Sequence, residues 1–398
     1  MRPAQEPTPR RLRLLVLAST FPAHEGDGVP GFVRDLARYE ARHFDTLVLV
    51  PRVPGGPRSE QHGSLRIERF PYFPRRWESL ATGAILENVR SSRATLLQVP
   101  ALFAAEALAV RRAVREFRPD VLHVHWVVPQ GLVALVAARG VPAVVTTLGG
   151  DVYALGGPVW ARLKGAVLSR AAGVTTMNQQ MAQRLVALGA DESTTHVLPM
   201  GADLAAVRAA GAGLSAVPGR LLFAGRLVEK KGLAVLLDAL RRLPAGGWEL
   251  HVAGDGPLRA ALEQAAAGLP VRFLGHRTRE ELARDMHEAE IVVVPSVAAR
   301  SGDQDGLPVV LLEAMAAGCA VLASRLAGLD EAVVDGESGL LLPPGDAAAL
   351  ADGLSGLLAD PVRRAGFGAA ASRRAEQFGV EAIGERYVAL LRQAASRG

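Results

Sequence analysis

The stretch FAGRLVEKKG, residues 223–232, gathers an unusual set of cations. Only three of the 45 Lys and Arg residues are lysine. Two of them, Lys230 and Lys231, are adjacent here, just downstream of Arg226. A guanidinium makes forked contacts to phosphate, and an ammonium supplies a compact point charge. Next to a helix N-terminus, where amides and the dipole favour anions, Arg226 and Lys231 could hold a diphosphate without a metal. Taken alone, the same residues read equally well as a solvated loop.

A second segment, DGLPVVLLE (305–313), carries Asp305 and Glu313 eight residues apart. Pro308 suits the first turn of a helix. That would put Asp305 in the entering loop and Glu313 about one and a half turns inside, both facing one cleft. A carboxylate accepts from two hydroxyls at once, so the vicinal diol of a ribose is a natural partner for Glu313. The amides of Gly306 and Leu307 would point at whatever Asp305 approaches.

These side chains need a scaffold, and the apolar runs supply one. In the first half, LRLLVLAS (12–19), DTLVLVP (45–51), SLRIERF (64–70), DVLHVHW (120–126), PAVVTTL (142–148), GVTTMN (173–178) and THVLPM (195–200) read as strands. Segments 32–43 and 95–117 have helical periodicity. In the second half the strands are 219–225, 248–254, 271–275, 290–296 and 320–324. Helices are expected at 232–243, 257–267, 278–288, 307–318, 346–358 and beyond 361. Alternation of this kind implies an α/β chain: two Rossmann-like, doubly wound parallel-sheet domains, 1–200 and 201–398, facing a central cleft. The last helix is free to pack back on the first domain. Arg226 and Lys231 then lie at the carboxyl edge of the second sheet, where such folds bind ligands.

Composition narrows the function. At 398 residues with 49% hydrophobic and 21% charged residues, the chain is globular and large enough for two cores. A single cysteine, Cys319 in an apolar run, excludes an internal disulfide and a cysteine zinc cluster. Residues 1–200 hold 24 Lys/Arg against 16 Asp/Glu, and residues 201–398 hold 21 against 24. The basic half suits an anionic membrane surface or a phosphate-bearing acceptor. Nucleic acid is not expected, because the basic residues are scattered and no nucleic-acid motif is present. LLVLA near the N-terminus is too short for a signal-peptide core, and no run is long enough to span a membrane, so a cytoplasmic location is expected.

Several motifs, in order, resemble glycosyltransferase family 4: FAGRLVEKKGL, VAGDGPL, FLGHR, EIVVVPS, DGLPVVLLEAMAAG and DGESGLLLPPGD. In the first half, STFPAHEGDGVPGFVRDLA, RFPYFPRRWESLATG, DVLHVHWVVPQG and VVTTLGGDVYAL join them. The resemblance spans nearly the whole chain. It implies GT-B architecture and a retaining transfer from a nucleotide-diphosphate sugar, which is a substrate; no cofactor is expected. It also implies that Arg226 and Lys231 neutralise the donor diphosphate and that Glu313 binds the ribose. Asp305 stands where the family has the first glutamate of E-x7-E, near the transferred sugar. Gly225, Gly254, His276, Gly306 and Leu307 fall in donor-binding motifs. Gly26, Gly28 and Gly31 lie in the glycine-rich loop that approaches phosphate and acceptor. Leu148 replaces a histidine that usually contacts the sugar, leaving Asp151 to take part of that role, with His125, and less so His123, as nearby candidates.

Asp303-Gln304-Asp305 also spells the D-x-D that holds a metal in the other large glycosyltransferase fold. Because Arg226 and Lys231 already supply positive charge, no metal is expected. Other readings stay open: a GT-B epimerase or phosphorylase, or a catalytically silent sugar-nucleotide-binding protein. A dehydrogenase is disfavoured, since GDGPLR lacks the third glycine of the dinucleotide fingerprint. The resemblance points to a glycan or lipid-linked acceptor. It favours peripheral association with the inner face of the plasma membrane through helix 95–117 and its arginines, although that segment also reads as a core helix with a charged end.

Overall fold

The computed structural model describes residues 10–24, 29, 31–82, 85, 88–89, 93–300 and 303–397. The first sheet contains β1 (Arg13–Leu17), β2 (Asp45–Pro51), β3 (Ser59–His62), β4 (Leu65–Phe70), β5 (Val121–His125), β6 (Ala143–Thr146), β7 (Gly173–Thr176) and β8 (Thr195–Val197). Their order is β3-β4-β2-β1-β5-β6-β7-β8. All pairs are parallel except β3 with β4. β3 (SEQH) was not anticipated. It is a polar, largely exposed edge strand with no apolar pattern to mark it.

The second sheet runs β11-β10-β9-β12-β13-β14. Its strands are β9 (Arg220–Ala224), β10 (Glu249–Ala253), β11 (Val271–Gly275), β12 (Ile291–Val294), β13 (Ala320–Ser324) and β14 (Leu340–Leu342). Every pair is parallel. Strands such as IVVV and AVLAS are buried along their whole length, which is why they read as continuous apolar runs. β14, only three residues within DGESGLLLPPGD, was too short to stand out. This sheet has an apolar core on each face. Cys319 is buried in one of them, and burial pushes its thiol up to about 12, so it serves as a small hydrophobe.

Helix Val380–Ala395 leaves the second half and contributes Ile383, Tyr387 and Leu391 to the first core. Tyr387 ends a buried polar chain. Glu40 Oε1 lies 2.7 Å from His123 Nδ1, and His123 Nε2 lies 2.7 Å from Thr146 Oγ1. Thr146 reaches Thr175 at 2.7 Å, Thr175 reaches the Tyr387 hydroxyl at 3.1 Å, and that hydroxyl donates to the Leu198 carbonyl at 2.9 Å. Burial pushes Glu40 well up and His123 down to about 3. His123 therefore works inside the domain: both of its ring nitrogens are bonded, in a chain that links six segments, while Glu40 Oε2 is left without a partner. No helix among the described residues is long and apolar enough to cross a membrane.

Candidate functional site

At the carboxyl edge of the second sheet, Gly225 and Gly254 end β9 and β10 in close apposition. A Cβ on Gly254, whose φ is +138°, would lie 2.0 Å from the Gly225 carbonyl oxygen. Arg226 follows, exposed. Residues Glu229–Lys231 form a 3-10 turn, and Gly232 at φ +69° opens helix Leu233–Leu240. A side chain on Gly232 would strike the Pro295 carbonyl at 1.8 Å, so only glycine lets this turn lie against the segment after β12.

That approach brings Lys231 to Asp305. Lys231 Nζ donates to Asp305 Oδ2 at 2.8 Å, and Ser296 Oγ donates to the same oxygen at 3.0 Å. Lys230 Nζ lies 3.1 Å from Asp303 Oδ2 and 3.7 Å from Asp305 Oδ1. Asp305 is only 9% exposed. Burial pushes its carboxyl up, but the two lysines outweigh that and hold it below the usual range. Both lysines of the opening motif are thus bound to the D-x-D carboxylates. Among the described residues no group of three or more His, Cys, Asp or Glu side chains could hold a metal.

Pro308 occupies the cap position of helix Val309–Ala316, one residue outside its expected place in the first turn. Glu313 lies inside this helix, partly buried, and burial pushes its carboxyl up to about 7. Arg279 lowers it, whereas Asp35 and Asp203 raise it further. Arg279 Nη1 is 2.9 Å from Asp35 Oδ2 and 3.8 Å from Asp203 Oδ2. Asp35 belongs to helix Phe32–Glu40, which Gly31 caps. The end of the glycine-rich loop thereby joins the surroundings of Glu313 through one cross-domain ion pair. Gly26 and Gly28 lie outside the described residues.

On the facing edge of the first sheet, Asp151 is 2% exposed. Its carboxylate accepts from the amides of Val127, Leu148 and Gly149 at 2.9, 3.1 and 3.2 Å. It fixes the two loops that follow β5 and β6, so its geometry is that of a positioning group. Lys164, the third lysine, is also buried. Its ammonium donates to the carbonyls of Val152 and Ala154 at 3.2 and 2.6 Å, closing the short helix Gly150–Tyr153. Leu148 packs on the first core instead of offering a polar group. His125 is 1% exposed, its Nδ1 has no partner, and burial holds it well below the usual histidine range. His276 is exposed beyond β11, at the edge of the second sheet, and takes no part in the bonds around Asp305. Leu307 packs against cores of both domains, and Gly306 abuts Met177 and Met181 of the first.

Sequence reasoning missed Arg279, Asp35, Ser296 and Asn178. Asn178 carried a readable signal, because it caps helix Gln179–Ala187 at the end of β7. Arg279 and Asp35 are ordinary charged residues that meet across 244 positions, and Ser296 is an ordinary hydroxyl residue nine positions before Asp305.

Residues 218–360 match the family model for glycosyl transferases group 1, and residues 27–201 match that for the glycosyl transferase 4-like domain. The chain is 30% identical over 361 residues to the 2-deoxystreptamine glucosyltransferase of Streptomyces kanamyceticus, covering 82% of this chain and 88% of that one. It is 42% identical over 140 residues to the amylovoran biosynthesis glycosyltransferase AmsK of Erwinia amylovora. That match spans about a third of either protein, 34% of each. The sucrose-phosphate synthase of Thermosynechococcus elongatus has the same fold, with a TM-score of 0.79 at 23% identity over 98% of this chain and 100% of that one.

Proposed function

The chain belongs to the group 1 glycosyl transferases of GT-B fold, and from that membership we propose that it moves a sugar from a nucleotide-diphosphate sugar to a glycan or lipid-linked acceptor, with retention and without a metal. The observation that carries this reading is the group formed by Lys231, Lys230, Asp305 and Ser296 at the carboxyl edge of the second sheet. It sets a cation for a leaving diphosphate against a carboxylate suited to sugar hydroxyls. Arg226 at the same edge adds a second cation, and Glu313, one helix turn in, offers acceptors to a ribose. As the glycosidic bond breaks, negative charge grows on the diphosphate, and preorganised cations stabilise it. A leaving-group oxygen then takes the acceptor proton, so no separate side-chain base is required.

Association with an anionic membrane belongs to the same reading. Gln98 fixes the loop at Trp77 to the start of helix Gln98–Phe117, donating to the Trp77 carbonyl at 2.9 Å and accepting from Ser79 and Leu80. Trp77 and Leu97 are 54% and 75% exposed, and Leu108 shares the outer face of the helix with Arg111 and Arg115. Such a surface suits an anionic leaflet.

The test is a panel of nucleotide sugars. One donor should raise the melting temperature and support transfer when lipid-linked or glycan acceptors are supplied. Interconversion of the donor sugar without acceptor would instead favour the epimerase reading, and stabilisation with neither reaction a silent binding protein.

A further inference from the structure

The loop that carries Asp305 is held from both sides. Its own domain binds the Asp305 carboxylate through Lys231 and Ser296. The first domain binds the backbone and side chains around it. Asn178, fully buried, accepts from Met181 N at 2.8 Å through Oδ1 and so caps helix Gln179–Ala187. Its Nδ2 donates across the domain boundary to the carbonyls of Gly306 and Ala327, each at 3.2 Å. The next two residues continue the seam. Gln179 N donates to Glu331 Oε1 at 2.7 Å, and Gln180 Oε1 accepts from Gln304 Nε2 at 3.1 Å. Residues 304 and 306, on either side of Asp305, are therefore both bonded to the first domain. The fit is close: a Cβ on Gly306 would lie 3.0 Å from Met177 Cβ and 3.3 Å from Met181 Sδ.

We propose that Asn178 is a positioning residue that seats the Asp305 loop through the first domain, so that the carboxylate is correctly placed only while the two domains are joined along this seam. The proposal rests on the reading of Asp305 as the group that faces the transferred sugar. An amide suits the task because one side chain can cap its own helix with its oxygen and reach the other domain with both N–H donors. Aspartate has a shorter reach than glutamate, so the placement of its backbone decides where its oxygens fall.

Asn178→Asp isolates the seam. It keeps the capping oxygen, since aspartate caps as well as asparagine, but turns a carboxylate oxygen toward two carbonyls. In the unliganded full chain, amide hydrogen exchange across 303–308 and 326–331 should quicken about tenfold or more, while helix Gln179–Ala187 stays protected. Rates are then measured with UDP-glucose, GDP-mannose and ADP-glucose. With whichever the unaltered protein turns over, kcat should fall about ten- to a hundredfold, with a KM for donor within about threefold of the original. Unchanged exchange overturns the proposal. Faster exchange with unchanged kcat also overturns it, because the seam is then merely structural. If the unaltered protein turns over none of the three, the transfer reading loses its support, and exchange alone decides whether Asn178 seats the loop. Should Asn178→Asp not fold, Gly306→Ala presses on Met177 and Met181 along the same seam with the cap intact, and the same pair of readouts applies.

Discussion

Lys231 and Asp305, 74 residues apart in sequence, meet at 2.8 Å. The cation proposed for a diphosphate is already bound to the carboxylate proposed for a sugar. On that proposal, donor binding is an exchange among three charged groups, not a cation meeting an empty space. The bound carboxylate also keeps the lysine aimed before the donor arrives.

Lys231→Ala should lower turnover about a hundredfold or more, as loss of one preorganised charge does, and Arg226→Ala should act similarly. The two should differ in stability. Arg226 is exposed, whereas Lys231→Ala strips a buried carboxylate of its nearest partner, at a cost of about 1–3 kcal/mol. Denaturant titration of both variants checks this. If both keep near-normal rates with a verified donor, the diphosphate assignment is wrong.

Glu313, held up near 7 from an ordinary 4.5, makes two pH predictions. Between those values the folded state keeps a proton that the unfolded state releases, so this group makes stability fall as pH rises through the window. Glu313→Gln should remove that slope. Nucleotide affinity should rise with pH through about 7 as the carboxylate ionises. The diphosphate also titrates in this range, so the informative quantity is the difference between the original protein and Glu313→Gln. Calorimetry with ribo- and deoxyribonucleotides measures it, and equal losses for both sugars on mutation would sink the ribose role.

EDTA should leave the transfer rate intact. Lys230 and Lys231 bind Asp303 and Asp305 at 3.1 and 2.8 Å, where a divalent ion would have to compete with two ammonium groups. A rate that collapses with chelator and returns with magnesium or manganese would make these carboxylates a metal site.

Flotation with liposomes tests the membrane surface. Binding should appear with anionic lipid, weaken as salt rises, and drop when Arg75, Arg76, Arg111 and Arg115 become glutamine. Arg112 is the poorer choice, because Glu116 already engages it at 3.0 Å. Equal binding to neutral and anionic vesicles, or none to either, would contradict this association.

The layout of the sheets was legible because buried parallel strands are apolar throughout and their flanking helices keep a regular period. The cation loop and the E-x7-E-like pair were legible because both lie within short contiguous segments. What stayed hidden was long-range. Arg279 meets Asp35 across 244 residues, and nothing local distinguishes that arginine from its neighbours in HRTREEL. Asp151 and His125 showed the reverse difficulty. Their residue types suggested open-cleft chemistry, yet the fold spends the first on three backbone amides and buries the second.

The return of helix Val380–Ala395 to the first core sets an order of events during synthesis. Tyr387 fills that core and ends the polar chain that starts at Glu40. Residues 380–394 leave the ribosome only after everything from 201 to 379 has been made. The first half therefore waits with an open flank, its Thr175 hydroxyl and neighbouring apolar side chains uncovered, while the second half is assembled. Each sheet draws all its strands from one continuous segment, so the wait concerns only the covering of the first core. The helix made last is thus the one that completes the half made first.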